Sequence, residues 1–345
     1  MIAPHATDIR RPPSADDVLW LNATEVSALF DHSAAFDSQR AAFQALGSGT
    51  ASNPDKIVTP NPDGSSLALT YTSQLSATTG PVTKFTAVHP LNRRAGLPTI
   101  SAVVLALDAS TGGLAAVLDG TTITTRRTAA ASAFAIETLA RDDADVLALF
   151  GYGVQAREHV HAIAASRPLR EVRVIGPRRS AGESLAAEIT ADLGIAARAH
   201  VDPERAVRGA SIIATCTTSR TPLLSAEWLD AGALVLSVGS FEPERHEVGQ
   251  DVVMLADRVV VDDVVTALAH AGPIMAAVSG GLLSASELTG LGEIAVGARP
   301  GRSSPDEIIF YNTTGVGVQD AAAAWSIIER AKARGRVRHV DALSQ

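Results

Sequence analysis

Two glycines interrupt the apolar run VLALFGYGVQAREHV at residues 146–160, and their spacing points to a chemistry. Gly151-Tyr152-Gly153-Val154-Gln155-Ala156 follows a strand-like segment and opens a helix-like one, giving the pattern GxGxxA. In that pattern the first glycine makes a tight turn and the second lets backbone N–H groups approach a pyrophosphate. The small third residue lets the helix pack close on the strand. A plain tight turn would not require all three. Gly151, Gly153, Val154 and Gln155 are therefore candidate dinucleotide contacts. The following strand bears on which dinucleotide. An NAD site usually ends that strand, roughly twenty residues past the glycines, with an acid that accepts from the adenosine ribose. Here VRVIGPRRSAGES carries no acid at Ile175, Gly176 or Pro177, and Arg178 and Arg179 follow. A carboxylate would repel a 2′-phosphate, whereas guanidinium forks bind it. NADPH is thus expected over NADH, the plainer alternative being that both arginines are exposed helix-start residues.

Other reactive side chains are sparse. Cys216, the only cysteine, ends the apolar run ASIIATCTTS and reads as a buried structural thiol. No paired-cysteine spacing suggests zinc or a disulfide, and no metal is expected. His159 and His161 fall on the helix after the glycines and read as packing or surface residues. Lys84 is the one charge in PVTKFTAV, which is hard to explain as decoration, although a strand lysine can point outward.

These residues sit on two kinds of element. SSLALTYTS, PVTKFTAV and TISAVVLALDASTGGLAAVLDGTTIT read as strands, with turn signals at Asp63-Gly64, Thr79-Gly80, Gly112-Gly113 and Asp119-Gly120. From RRTAAASAFAIETLAR onward an Ala-rich helix begins, with Ala129, Ala133, Ile136 and Leu139 on one face. DVLALF, EVRVIG, IAARAH, ASIIATC, ALVLSVG and DRVVVDD then alternate with helical segments, as in a doubly wound parallel sheet of Rossmann type. The fold class expected is α/β, this sheet standing beside a β-rich α+β region. VQDAAAAWSIIERAKARGR is a last helix with no strand after it, expected to pack back on the first region. Its basic end (Arg330, Lys332, Arg334, Arg336, Arg338) complements the helix dipole.

At 345 residues the chain is long enough for two buried domains. With 46% hydrophobic and 19% charged residues most of it should fold, and a formal charge of −8 argues against a general nucleic-acid binder. No apolar run reaches the roughly eighteen residues a membrane helix needs. The Pro-rich start MIAPHATDIRRPPSADD lacks a signal-peptide core, so a cytoplasmic protein without membrane contact is expected.

Four segments carry a family resemblance: KFTAVHPLNRRAGLPTISAVVLALDASTGGLAAVLDGTTITTRRTAAASAFA, FGYGVQAREHVHAI, TPLLSAEWLDAGALVLSVGSFEPERHEV and FYNTTGVGVQDAAAA. In order and spacing, from about residue 56 to 330, the chain resembles the ornithine cyclodeaminase/μ-crystallin family. Members act on small α-amino or α-imino acids with a nicotinamide cofactor. They include cyclodeaminases, alanine dehydrogenases, ketimine reductases and Δ1-pyrroline-2-carboxylate reductases, as well as amine dehydrogenases of siderophore pathways. The resemblance implies a homodimer. The Pro-rich, polar start reads as a flexible tail at 1–17, and the resemblance implies a substrate and dimerisation domain at 18–128 with 311–345 beside a Rossmann domain at 129–310.

Residue by residue, the resemblance places Lys84 and Arg127 on the substrate carboxylate, and the physical case agrees. An α-imino acid presents a carboxylate beside C=N, and a positive pair would orient its carbon toward a nicotinamide. A third family cation, usually an arginine, is matched by Lys56, which offers a point charge in place of a fork. Asp320 matches a family acid near the cofactor, with capping of the last helix as its alternative role. Thr215, Thr217, Val238 and Ser240 complete the expected cofactor contacts. The main departure is Phe241. Cyclodeaminases carry there an aspartate that works as acid or base, and a phenyl ring moves no protons. Glu242 is adjacent but displaced by one residue. The Gly239-Ser240-Phe241 form looks more like the imine-reductase branch, where the ring could cover a cyclic imine and exclude water. Lys84 is the expected proton donor, since a lysine beside an arginine has reason for a lowered pKa, with His89 a lesser candidate. The resulting expectation is NADPH-dependent reduction of a small cyclic imino acid, Δ1-pyrroline-2-carboxylate or Δ1-piperideine-2-carboxylate. An amino-acid or opine-type dehydrogenase, a cyclodeaminase and a non-catalytic cofactor-binding protein stand behind it in that order.

Overall fold

The computed structural model describes residues 18–335, so the expected tail at 1–17 and Arg336 and Arg338 lie outside the described residues. Alternating side chains build a first sheet of six strands: β1 (Leu19–Leu21), β2 (Ile57–Pro60), β3 (Leu67–Ser73), β4 (Val82–Val88), β5 (Ile100–Leu107) and β6 (Leu114–Asp119). Their order is β1-β6-β5-β4-β3-β2, antiparallel except that β1 pairs parallel with β6. One face is buried: Leu69, Tyr71 and Ser73 of β3 stand beside Val82, Lys84 and Thr86 of β4. Against that face lies the helix Gly317–Ala333, whose Ala321, Ala324, Ile327 and Ile328 share one core with Val82, Val104 and Leu118. Trp325 fastens it by donating to the Gly80 carbonyl at 2.9 Å.

The segment around Asp119-Gly120 departs from the expected turn and strand. Asp119 caps a helix, Gly120–Leu139, its carboxylate accepting from the Thr122 N–H at 2.8 Å. Gly120 lies so close to β5 that a Cβ would sit 2.8 Å from the Ala102 carbonyl carbon. Burial of Ile123 together with the cap overrides the strand preference of the β-branched residues in TTIT.

The second sheet is wholly parallel, with eight strands: β7 (Val146–Phe150), β8 (Glu171–Ile175), β9 (Ala196–His200), β10 (Ile212–Thr215), β11 (Leu234–Ser237), β12 (Arg258–Val261), β13 (Leu288–Gly290) and β14 (Ile309–Asn312). The order is β13-β12-β14-β11-β10-β7-β8-β9. Every residue of β7 is buried, one side facing a core with Leu236 and Tyr311 and the other a core with Ile213 and Phe310. The chain moves outward from β7 first through β8 and β9, then returns to β10. The carboxyl end of β7 is therefore the topological switch point. The expected boundary at 128/129 falls inside the continuous helix Gly120–Leu139, and that at 310/311 falls inside β14. Among the described residues no helix is long and apolar enough to cross a membrane.

Candidate active site

Three elements converge on a buried ionic cluster. Lys84 Nζ of β4 lies 2.7 Å from Asp320 Oδ2 of the last helix, and Arg127 Nε of the 120–139 helix lies 3.2 Å from Asp320 Oδ1. Lys84 and Asp320 are 2% and 1% exposed. Strand register sets Tyr71 opposite Lys84, and the ammonium sits 4.4 Å from the centre of its ring. Burial, helped by the Arg127 charge and opposed by Asp320, lowers the Lys84 pKa to about 8, and burial raises that of the Tyr71 hydroxyl. Asp320 does not cap the helix. The cap position is Val316, whose N–H donates to Gln319 Oε1 at 3.0 Å, while Arg127 Nη1 donates to the same oxygen at 2.6 Å.

A second buried carboxylate, which the local sequence pattern does not reveal, fixes the turn beside this cluster. Asp262, following β12, accepts from the N–H groups of Thr314 (2.8 Å) and Gly315 (2.6 Å) and from the Thr313 hydroxyl (3.0 Å). Burial raises its pKa against the pull of those hydrogen bonds. Gly315 takes φ +76°, and a Cβ there would lie 2.9 Å from Arg127 Nη1. The turn between β14 and the last helix is thus pressed against the guanidinium. Lys56 is half-buried in the same field. Burial lowers its pKa, Asp262, Asp55 and Glu242 oppose that, and Arg127 adds to it.

Phe241 is half-buried beyond the end of β11, with the Arg245 guanidinium 4.6 Å from its ring centre. Arg245 Nε also lies 3.0 Å from Glu242 Oε2, so the acid adjacent to Phe241 is already paired. His89 is exposed beyond β4. His159 is buried between the Ser132 hydroxyl (2.9 Å) and the Gln155 carbonyl (2.7 Å), and burial pushes its pKa down to about 4, so it clamps two helices as a neutral ring.

At the switch point the glycine pattern has the shape its chemistry needs. Gly151 has φ +109°, and a Cβ there would meet the Cys216 carbonyl oxygen at 2.5 Å. Gly153 is the N-cap of the helix Val154–Ser166 and has open space where a Cβ would stand, while Ala156 is fully buried. Val154 is exposed and Gln155 half-buried at the same helix start. An open flank at a helix N-terminus fits a pyrophosphate. Tyr152 lies over Gly176, where a Cβ would touch its ring, and its hydroxyl accepts from Arg178 Nε at 3.1 Å. Arg178 is thereby held over the glycine loop, while Arg179 lies near Glu183 at 3.7 Å with both side chains exposed.

The Thr215 and Ser240 side chains are engaged with Glu247. Both are fully buried, Thr215 donating to Glu247 Oε2 at 2.8 Å and Ser240 Oγ accepting from the Glu247 N–H at 3.0 Å. Thr217 spends both its N–H and its hydroxyl on Glu247 Oε1, each at 2.6 Å, and Val238 is buried. His161, Glu188 and Asp192 bring ligand atoms within 4.8 Å of one another, but Arg157 is hydrogen-bonded to Glu188.

The model of the ornithine cyclodeaminase/mu-crystallin family matches residues 17–335. A Δ1-pyrroline-2-carboxylate reductase of Bacillus cereus is 34% identical over 253 residues, 73% of this chain and 78% of that protein. Among solved structures, the Thermococcus litoralis Δ1-pyrroline-2-carboxylate reductase in complex with NADH and L-proline is similar with a TM-score of 0.89 and 27% identity, covering 94% of this chain and 100% of that one. An archaeal alanine dehydrogenase dimer with bound NAD is similar with a TM-score of 0.88 and 29% identity, covering 94% and 99%.

Proposed function

The chain belongs to the ornithine cyclodeaminase/mu-crystallin family, and on that premise we propose that it reduces a small, cyclic α-imino acid with NADPH. It is an NAD(P)-dependent oxidoreductase acting on C=N or CH–NH groups. The leading substrates are Δ1-pyrroline-2-carboxylate and Δ1-piperideine-2-carboxylate, giving proline and pipecolate. The observation that carries the reading is the buried Lys84–Asp320–Arg127 cluster. Two cations share one carboxylate there, leaving net positive charge for a substrate carboxylate. When bound, the cofactor supplies a hydride to the imine carbon. Arg127 orients the carboxylate, held in place by Gln319 and Asp320. Lys84, with its pKa lowered to about 8, gives the imine nitrogen the proton that balances the hydride. Phe241 excludes water and offers no base for ammonia loss.

NADPH is favoured by this chain's own residues: no acid ends β8, and Tyr152 holds Arg178 at the loop. The reading goes with a cytoplasmic location, where such cofactors are pooled, and with a homodimer. A second reading, an amino-acid dehydrogenase, is favoured by the likeness to alanine dehydrogenase. Oxidation of NADPH with a panel of cyclic and acyclic imino acids separates the two. Cyclic imines should turn over fastest, and ornithine or lysine with NADP⁺ should release no ammonia. Ammonia release rivalling imine reduction would overturn the role given to Phe241.

A further inference from the structure

Glu247 is a buried acid that neither the glycine loop nor the ionic cluster uses. It is fully enclosed, and each neighbour on its carboxylate is a donor. Oε1 takes the N–H and hydroxyl of Thr217, both at 2.6 Å. Oε2 takes the Gly239 N–H at 2.6 Å and the Thr215 hydroxyl at 2.8 Å, with the Ser237 hydroxyl at 3.2 Å. Its backbone adds two ties: its N–H donates to Ser240 Oγ at 3.0 Å and its carbonyl accepts from the Leu223 N–H at 2.9 Å. The segments leaving β10 and β11 are thereby locked to each other. They touch so closely that a Cβ on Gly239 would lie 2.2 Å from the Thr217 carbonyl oxygen.

On the dinucleotide reading, the pyrophosphate would lie at Gly151–Gly153 and the adenosine on the β8 side, where Arg178 stands. The nicotinamide half would then fall to the β10–β11 side, against backbone that Glu247 holds. We infer that Glu247 is the positioning residue that shapes the nicotinamide half of the cofactor site, acting through the Thr217 and Gly239 amides without touching the ligand. The inference rests on the dinucleotide reading above and assigns a task to a residue outside it. A carboxylate suits the task because it only accepts, whereas a carboxamide must turn an NH₂ toward some of these donors.

The test compares two ligands on Glu247→Gln: NADPH, and 2′-phospho-ADP-ribose, the same molecule without its nicotinamide. By calorimetry the variant should bind NADPH about tenfold or more weakly, the scale of losing charge-assisted hydrogen bonds, and the fragment within about twofold of wild type. In the ligand-free variant the Thr217 and Gly239 amides should exchange hydrogen faster, while that of Gly151 should not change. Thr217→Val removes one donor only and should show the same split at a few-fold, which keeps the test decisive should Glu247→Gln fail to fold. Parallel losses for both ligands, or none for either, overturn the positioning role. A wild-type protein that binds neither ligand overturns the dinucleotide reading and this inference with it.

Discussion

Lys84 owes its chemistry to where β4 places it. A lysine on the outer face of the same strand would keep an ordinary pKa, whereas burial beside Arg127 brings this one to about 8. The sign of the pH dependence follows. A proton donor must be charged to act, so imine reduction should fall as pH rises through about 8, and amine oxidation, which needs the neutral amine, should rise over the same interval. Lys84→Met should lower kcat and kcat/KM by about a hundredfold or more and flatten that profile, while still binding NADPH. A variant that keeps both the rate and the inflection would remove Lys84 from the proton transfer. The two arginines after β8 should separate in the same way. Arg178, bonded to Tyr152 beside the glycine loop, should cost about tenfold or more in NADPH affinity when replaced by alanine and little for NADH. Arg179, facing Glu183, should cost less. Titrations of both variants with both cofactors check the contrast, and equal losses for the two cofactors would mean that Arg178 reads something other than a 2′-phosphate.

The turn from β14 to the last helix shows how one element can set a distant side chain. Gly315, at φ +76°, lies under the Arg127 guanidinium, and Asp262 fixes it from the end of β12. Gly315→Ala adds both a strained backbone and a contact of 2.9 Å, and should cost about 1–3 kcal/mol in a denaturant melt. It should also raise KM for the imino acid more than for NADPH, because Arg127 must give way. Elements of this sheet differ in how openly the sequence declares them. β7 through β12 are apolar runs bounded by turn signals, and their alternation with helical segments is the mark of a parallel sheet. β13, LTG, and β14, IFYN, are not among those runs. Lys84 and the glycine pattern are legible because their residue types stand out against their surroundings, whereas Arg127, next to Arg126, is singled out by the family resemblance. Asp262 and Glu247 are not, since an acid among surface acids looks the same in sequence whether or not the fold closes over it. The inward turn of Thr215 and Ser240 is hidden for the same reason: their partner, Glu247, lies on a separate loop.

Across the molecule, the six-stranded sheet buries one face under the last helix and leaves apolar side chains on the other. Phe85 and Leu105 are 52% and 39% exposed, and Trp20 on β1 is 47% exposed. Register puts Trp20 and Leu105 on either side of Val117, in one row across the strands. An apolar row of this kind suits a partner surface, and in the homodimer proposed above it is the natural seam. Phe85→Glu with Leu105→Glu should halve the mass measured by light scattering, and a mass unchanged from wild type would move the seam elsewhere. The position of β14 has a consequence of another sort. It is the last strand among the described residues, yet it lies between β11 and β12, which do not pair with each other. During synthesis on the ribosome the parallel sheet must therefore wait, with a strand-wide gap at its middle, until residues 309–312 have emerged. The helix bearing Asp320 follows directly, so Lys84 and Arg127 remain without their shared counter-charge until nearly the whole of the described chain has been translated.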